Sequence, residues 1–448
     1  MKDLTQGSIT RHILAMAAPI FGGMIFQTLY LIVDLYFVSA LGDVAIAGVS
    51  AAGNATFVIF ALTQVLGVGT VALISHAAGR KDRPDATKVF NQSLMLSAFC
   101  GVFVLVAGYW LTSIYMRSVA ADAATVDAGT TYLLWFMPGL ALQFAMVAMG
   151  SALRGTGIVK PTIFVQIASV IINIILAPIL IAGWGTGYAM GVAGAGLAST
   201  IAVLIAVILL WIYFHRLEHF VAIDRHQLRP QLAEWRRILN IGLPAGGEMA
   251  LMFVYMAIIY WVIRDFGAAA QAGFGVGSRV TQAIFLPAIA ISFAAGPVAG
   301  QNYGAGHGDR VRQTFKVAAI MSMAMMLAIT LLMQISPAFL VGSFTEEAGV
   351  IDVGATFLRI TSLNFVAQGV IFTCSSLFQG LGNTRPALFS SLARLLIFAI
   401  PAVLMSMQQG FRIEQVWYWS IVTVTSQALF SWFLLRLEFK RRLTPAAA

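Results

Sequence analysis

Two carboxylates stand where an apolar chain least tolerates them. Asp34 lies in YLIVDLYFVSALG (30–42) and Glu248 in LPAGGEMALMFVY (243–255), stretches otherwise almost free of charge. An ionised aspartate at the middle of a bilayer costs roughly 2.5–3.5 kcal/mol on an insertion scale, so such groups face a polar interior and mark an ion or substrate path. Helical spacing sets more polar side chains beside them. Gln27, Tyr30 and Asp34 fall at i, i+3 and i+7 on one face, and Glu248, Met252 and Tyr255 share another. Gln166, Ser169 and Asn173 form a third stripe, and Asn364, Gln368 and Ser375 a fourth. These stripes are expected to point into a helix bundle, because lipid leaves polar groups unsatisfied. A carboxylate stripped of water is held neutral by a proton, by Na⁺ or by an organic cation. One group that holds ion and cargo in turn is the least machinery an exchanger needs. Asp34 is expected deep in its span. Glu248 follows Pro244, the expected start of its span, by only four residues, so a carboxyl reaching toward the headgroups stays open for it.

The elements that must hold these residues are membrane spans. Of 448 residues 59% are hydrophobic and 10% charged, against about 25% charged in soluble domains. Twelve stretches are long enough to cross a bilayer as helices: about 13–38, 45–76, 92–112, 130–152, 162–182, 191–214, 240–263, 270–300, 317–340, 355–378, 387–408 and 415–436. The start, MKDLTQGSITRHILAMAAP, leads into a full span rather than a cleavable signal. Cys100 and Cys374 both fall in spans, which argues against a disulfide framework or a thiolate metal site.

The net charge of +9 is a topology signal rather than a nucleic-acid footprint. One set of connectors and tails carries Arg11, Arg80, Lys88, Arg154, Lys160, Arg225, Arg237, Arg310, Arg385, Arg441 and their basic neighbours. The other set carries only Arg117, Arg264, Arg359 and Arg412. The excess of Lys and Arg on one side places both termini in the cytoplasm. The chain also repeats. RGTGIVKPTIF (154–164) aligns with QGLGNTRPALF (379–389) at an offset of 225, LGDVAIAGV (41–49) aligns with FGAAAQAGF (266–274), and Pro19 pairs with Pro244. Several matches at one offset imply duplication of a six-span unit, with both halves in the same orientation. The fold class expected is an all-α polytopic membrane protein of twelve transmembrane helices, in two homologous six-helix lobes around a central cavity. Residues 1–214 form the N-lobe, 215–239 a cytoplasmic linker and 240–448 the C-lobe.

Several patterns point elsewhere and are weaker. HRLEH (215–219) has the spacing of a zinc-protease motif but lies at the basic edge of span 6, without a partner constellation. GQNYGAGHGDR (300–310) is Gly-rich but lacks the Lys-Ser/Thr of a phosphate loop. His76 and His307 sit at the basic ends of spans 2 and 8, where interfacial roles outnumber proton relays. Arg279 and Arg394, inside spans, are either counter-charges to the carboxylates or anchors for helix-end carbonyls, with a structural role favoured. The 19 methionines would suit a pocket for varied flat cations, and equally serve as membrane filler.

The sequence resembles the multidrug and toxic compound extrusion (MATE) family along essentially its whole length. The resemblance rests on AAPIFGGMIFQTLYLIVDLYFVSALG in span 1, on RGTGIVKPT with its echo QGLGNTRPA, and on NIILAPILIAG in span 5. It implies export of cationic, amphipathic compounds in exchange for inward H⁺ or Na⁺ by alternating access. Asp34 matches the family's N-lobe carboxylate, Asn173 a polar partner in span 5, and Glu248 an acidic position of Na⁺-coupled members. Pro19, fifteen residues before Asp34, matches a proline proposed to bend the first helix. Two positions depart from the pattern: Ala177 and Gln368 stand where some members have carboxylates, which weakens Na⁺ coupling and favours H⁺ slightly.

The expectation is therefore a secondary antiporter and not an enzyme, with Asp34, Glu248, Asn173 and Gln368 coupling ion to substrate. Gln27, Tyr30, Tyr255, Met252 and Asn364 would line the cavity. A lipid-linked precursor or polysaccharide flippase is the alternative, and would need a more basic cavity. No cofactor or catalytic residue is expected, and no metal beyond Na⁺ at Asp34 or Glu248. The partners expected are small organic cations and membrane lipid, with no nucleic acid, for a monomer in the inner membrane.

Overall fold

The computed structural model describes residues 1–443 apart from 121 and 219, with the backbone alone at 31. The second histidine of HRLEH is residue 219, so that motif lies partly outside the described residues. Six helices form the first half: α1 (Ile9–Ser39), α2 (Asp43–Gly79), α3 (Arg83–Val119), α4 (Ala123–Gly155), α5 (Lys160–Ala182) and α6 (Val192–Arg216). Eight follow: α7 (Leu232–Val262), α8 (Ala268–Gly304), α9 (Gly308–Ile335), α10 (Pro337–Gly342), α11 (Ala348–Thr361), α12 (Phe365–Gly380), α13 (Arg385–Ser406) and α14 (Ile413–Leu443). Among the described residues there is no strand. Among the described residues, twelve helices are long and apolar enough to cross a membrane, with α11 and α12 counting as one and α10 too short.

Every predicted span overlaps one of these helices, and most helices run past the predicted edges; three of the differences have local reasons. The sequence reading carried span 9 to residue 340, whereas α9 stops at Ile335. Pro337 disfavours the helical conformation at Ser336 and starts the short α10 instead. Span 10 begins seven residues early, at Ala348, and is interrupted by a 3₁₀ turn at Ser362–Asn364. Pro244 does not begin span 7: α7 starts twelve residues earlier, at Leu232, and carries the proline inside it. Helices of 37 residues such as α2 and α3 are about 55 Å long, against a hydrocarbon core of about 30 Å, so their polar ends project. Asp82 and Asp122 cap α3 and α4 by accepting from the amides of Asp85 and Thr125.

The chain forms two compact units. The first holds Met1–Asp3 and Pro19–Gly242; the second holds Leu4–Ala18 and everything described from Leu243 onward. The division thus cuts α1 at Pro19 and α7 within two residues of Pro244, the two prolines paired by the repeat.

In the first unit the core runs through Leu73, Phe90, Phe136, Leu140, Phe144 and Leu210, all buried. Residues 215–239 belong to this unit. Val221 is fully buried in the core, and two polar side chains of α3 bind the backbone of the segment. Asn91 donates to Ala222 O and accepts from Asp224 N, at 2.9 and 3.0 Å. Gln92 donates to Gln227 O and Arg229 O, at 2.7 and 2.8 Å, and accepts from Gln231 N at 2.9 Å. At the start of α7, Glu234 pairs with Lys88 at 2.9 Å and with Arg237 at 2.6 Å.

In the second unit Trp417 is buried between Phe274, stacked at 5.5 Å, and Phe357, edge-on at 4.9 Å. This is a well-formed aromatic core. One packing detail recurs in both units. A side chain on Gly48 of α2 would strike the backbone of Gly129 of α4, at 2.8 Å. Gly273 of α8 meets Gly354 of α11 in the same way, at 3.0 Å. Both positions shift by 225, so the duplicated halves keep the same close helix crossing through small residues.

Candidate functional site

In the first unit α1, α4, α5 and α6 bring five polar side chains together. Asp34 is 5% exposed, and its Oδ2 accepts from the Tyr132 hydroxyl at 3.3 Å. Asn173, fully buried, donates to the Tyr30 hydroxyl at 3.5 Å and to Ser199 Oγ at 3.4 Å. Ser199 also reaches Tyr30 and Tyr132, so it is the hub of the cluster. Two atoms in this network are buried and have no partner: Asp34 Oδ1 and Asn173 Oδ1. Both are acceptors facing no donor, an arrangement that a proton or a cation would complete.

Asp34 lies five residues before the end of α1, about 7.5 Å along its axis. It is not deep in its span, as the sequence suggested; the protein around it supplies the burial. Glu248 is the reverse case. It stands sixteen residues into α7 and fourteen from its end, so the alternative of a carboxyl at a helix end is closed for it.

Two expected neighbours differ. Gln27 is exposed and outside the Asp34 cluster, although it shares a helix face with Tyr30. Gln166, two turns before Asn173, packs its amide against Gly23 of α1, where a Cβ would collide with it. Tyr132 and Ser199 were absent from the sequence reading. A lone tyrosine in span 4 and a lone serine in span 6 carry no periodic signal, and only the bundle shows that they converge.

In the second unit Glu248 sits in a different network. Its Oε2 accepts from Ser375 at 2.9 Å, and Ser391 also bonds its carboxylate. Ser391 accepts from Gln427 Nε2 at 3.0 Å, and Gln427 Oε1 accepts from Arg394 at 3.1 Å. The Arg394 guanidinium lies over the Tyr255 ring at 4.4 Å, and its buried Nε has no partner. Carboxylate and guanidinium are thus joined through a serine and a glutamine rather than by direct contact.

Tyr255 belongs here, though it meets Arg394 and Phe398 instead of Glu248. Met252 is 51% exposed. Gln368 is half-buried two turns before Ser375 on α12. Asn364 falls in the 3₁₀ turn, out of register with that stripe, and donates to Ser420 at 2.9 Å. Ala177 is fully buried. Arg279 is exposed on α8. No cluster of three or more His, Cys, Asp or Glu able to hold a metal occurs among the described residues.

An all-helical chain with twelve membrane-spanning helices, a duplicated half and a buried carboxylate network in each unit is a polytopic membrane transporter in form. The chain belongs to the MatE family, whose profile matches it twice, over residues 19–179 and 244–404. The two matches are displaced by 225, the offset of the sequence repeat. A probable multidrug resistance protein of Bacillus subtilis, YpnP, is 27% identical over 84% of this chain and 85% of its own. A FAD transporter of Shewanella oneidensis is 25% identical over 90% of this chain and 89% of its own. Among solved structures, an outward-facing multidrug resistance MATE transporter superimposes with a TM-score of 0.90 at 23% identity, over 98% of both chains. That likeness bears on the fold.

Proposed function

We propose that the chain is a cation-coupled antiporter of the cytoplasmic membrane that exports amphipathic organic cations, with both termini inside. The observation that carries this reading is the pair of unpartnered buried oxygens, Asp34 Oδ1 and Asn173 Oδ1, in one hydrogen-bonded cluster. A carboxylate held by a single tyrosine hydroxyl is ready to accept one more positive partner. Protonation at Asp34 and cation binding at Asp34 are then mutually exclusive, which couples the two fluxes. Glu248 is a second cation site, positioned by Ser375 and Ser391. H⁺ is the coupling ion proposed, because a proton needs one oxygen whereas Na⁺ needs several.

The test is efflux of ethidium from proteoliposomes under an imposed pH gradient and, separately, under an imposed Na⁺ gradient. Drive by pH alone is expected. Asp34→Asn should reduce that efflux to the leak rate while the variant stays folded and inserted. Normal coupled export by Asp34→Asn would overturn the assignment, and drive by Na⁺ alone would replace the coupling ion.

A second reading is favoured by Arg394, whose guanidinium lies on Tyr255 with an open Nε. A cation backed by an aromatic face suits a flat anion, and the similar FAD transporter handles one. Flavin nucleotide loaded into the same vesicles distinguishes the readings: export of it in place of ethidium, lost in Arg394→Gln, would put the cargo at Arg394.

A further inference from the structure

The second unit carries a groove that the transport chemistry leaves unused. It has a volume of about 390 Å³, lies between α10 and α11, and is lined by Ala338, Ile351, Asp352, Ala355, Thr356 and Arg359 among others. Asp352 and Arg359 stand two turns apart on the same face of α11, both exposed. Among the described residues neither has an ion-pair or hydrogen-bonding partner for its charged group. Both residues line the groove.

The level of the groove follows from α9. Gln334, one residue before the end of that helix, donates to Arg359 O at 2.8 Å and to Ser362 Oγ at 2.8 Å. Arg359 is therefore level with the end of a long span rather than its middle. The surface beside it is apolar: Leu331, Leu332, Ile335 and Phe339 are all exposed, Ile335 at 78% and Phe339 at 73%. An open pair of opposite charges at a span end, beside bare hydrocarbon, has the layout of a lipid.

We propose that this groove is a phospholipid site selective for a phosphoethanolamine headgroup. The lipid phosphate sits on Arg359, the ammonium on Asp352, and the acyl chains run from there along the exposed Ile335, Leu332 and Leu331 of α9. Arg359 presents the planar fork that suits phosphate oxygens. The ammonium, unlike a trimethylammonium, donates hydrogen bonds to a carboxylate. Glu346 and Glu347, exposed in the loop just before α11, repel an anionic headgroup without a compensating cation.

The duplication supplies an internal control. Asp127 is the counterpart of Asp352 at the offset of 225, but Leu134 stands where the second half has Arg359. The first half keeps the acid without the phosphate ligand, and so should lack the site.

The experiment is native mass spectrometry of the full chain, released from nanodiscs of equal phosphatidylethanolamine, phosphatidylcholine and phosphatidylglycerol with matched acyl chains. Retained phosphatidylethanolamine should exceed each of the others severalfold. Asp352→Asn should bring it down to the phosphatidylcholine level, Arg359→Gln should lower retention of all three lipids, and Asp127→Asn should change nothing. Preference for phosphatidylglycerol or phosphatidylcholine in the wild-type protein, or no preference, would overturn the proposal. So would a phosphatidylethanolamine preference that survives in both groove variants.

Discussion

A buried acid is informative through its partners more than its depth. Asp34 lies near the end of its helix and Glu248 near the middle of its own, yet Asp34 keeps the unpartnered oxygen while Glu248 is bonded by two serines. Burial by surrounding protein, and what that protein offers as donors, decides which carboxylate is open to a proton or a cation. Outside the spans an aspartate shows the contrasting case. The Thr125 amide and hydroxyl, at 2.8 and 2.9 Å, hold the carboxyl of Asp122 below the usual aspartate range. A lowered folded value means that the cap's contribution is full above the unfolded pKa, about 3.9, and is lost as pH falls through the folded value. Asp122→Asn keeps an N-cap acceptor but should remove that acid-side dependence, read as a flatter thermal stability profile below pH 4 in detergent. At this scale the sequence was legible where polar residues repeat with helical spacing, as at Tyr30 and Asp34. It was silent at Tyr132, Ser199 and Gln427, single residues brought in by separate helices.

Between elements, the segment joining the two halves proved more structured than its composition implied. HRLEHFVAIDRHQLRPQLAEWRR reads as a charged tether because its polar residues mask Val221 and because the groups that hold it are on α3. Asn91 and Gln92 spend their side-chain amides on its backbone, supplying the partners that a strand would otherwise provide. Gln92→Ala leaves three backbone groups to find water. The loss should cost about 1–3 kcal/mol and open the segment locally. Limited trypsin digestion should then cut at Arg225 and Arg229 faster than in the wild-type protein; unchanged cutting would mean that Asn91 holds the segment alone. Span 10 teaches the same lesson about context. Its polar stripe was read through an unbroken helix, but the 3₁₀ turn at Ser362–Asn364 rotates Asn364 away toward Ser420.

At the scale of the whole molecule the repeat is the most legible feature. One offset of 225 relates the loop motifs, the two profile matches and the glycine contacts Gly48–Gly129 and Gly273–Gly354. If both halves keep one helix crossing, equal insults should do equal harm. Gly48→Val and Gly273→Val should each destabilise the protein by about 1–3 kcal/mol, seen as matching drops in melting temperature in detergent. A large drop for one and none for the other would mean that the halves have diverged in how closely these helices pack. The two carboxylates fall outside the symmetry, although Tyr30 and Tyr255 beside them are counterparts at that offset. Asp34 aligns with Ile259 and Glu248 with Gly23, so the chemistry was added after, or lost from, a common scaffold.

The way α1 divides at Pro19 has a consequence for biosynthesis. Leu4, Ile9, Ile13 and Met16 are buried, and Leu4 is held by Gln301 and Asn302 through its own backbone groups. Their partners begin at Leu243, which a ribosome adding roughly 5–20 residues per second reaches some 10–45 s after leaving Ala18. Leu4–Ala18 therefore waits through the synthesis of some 225 residues before it can be buried. It is the stretch most in need of a chaperone or of lipid while it waits.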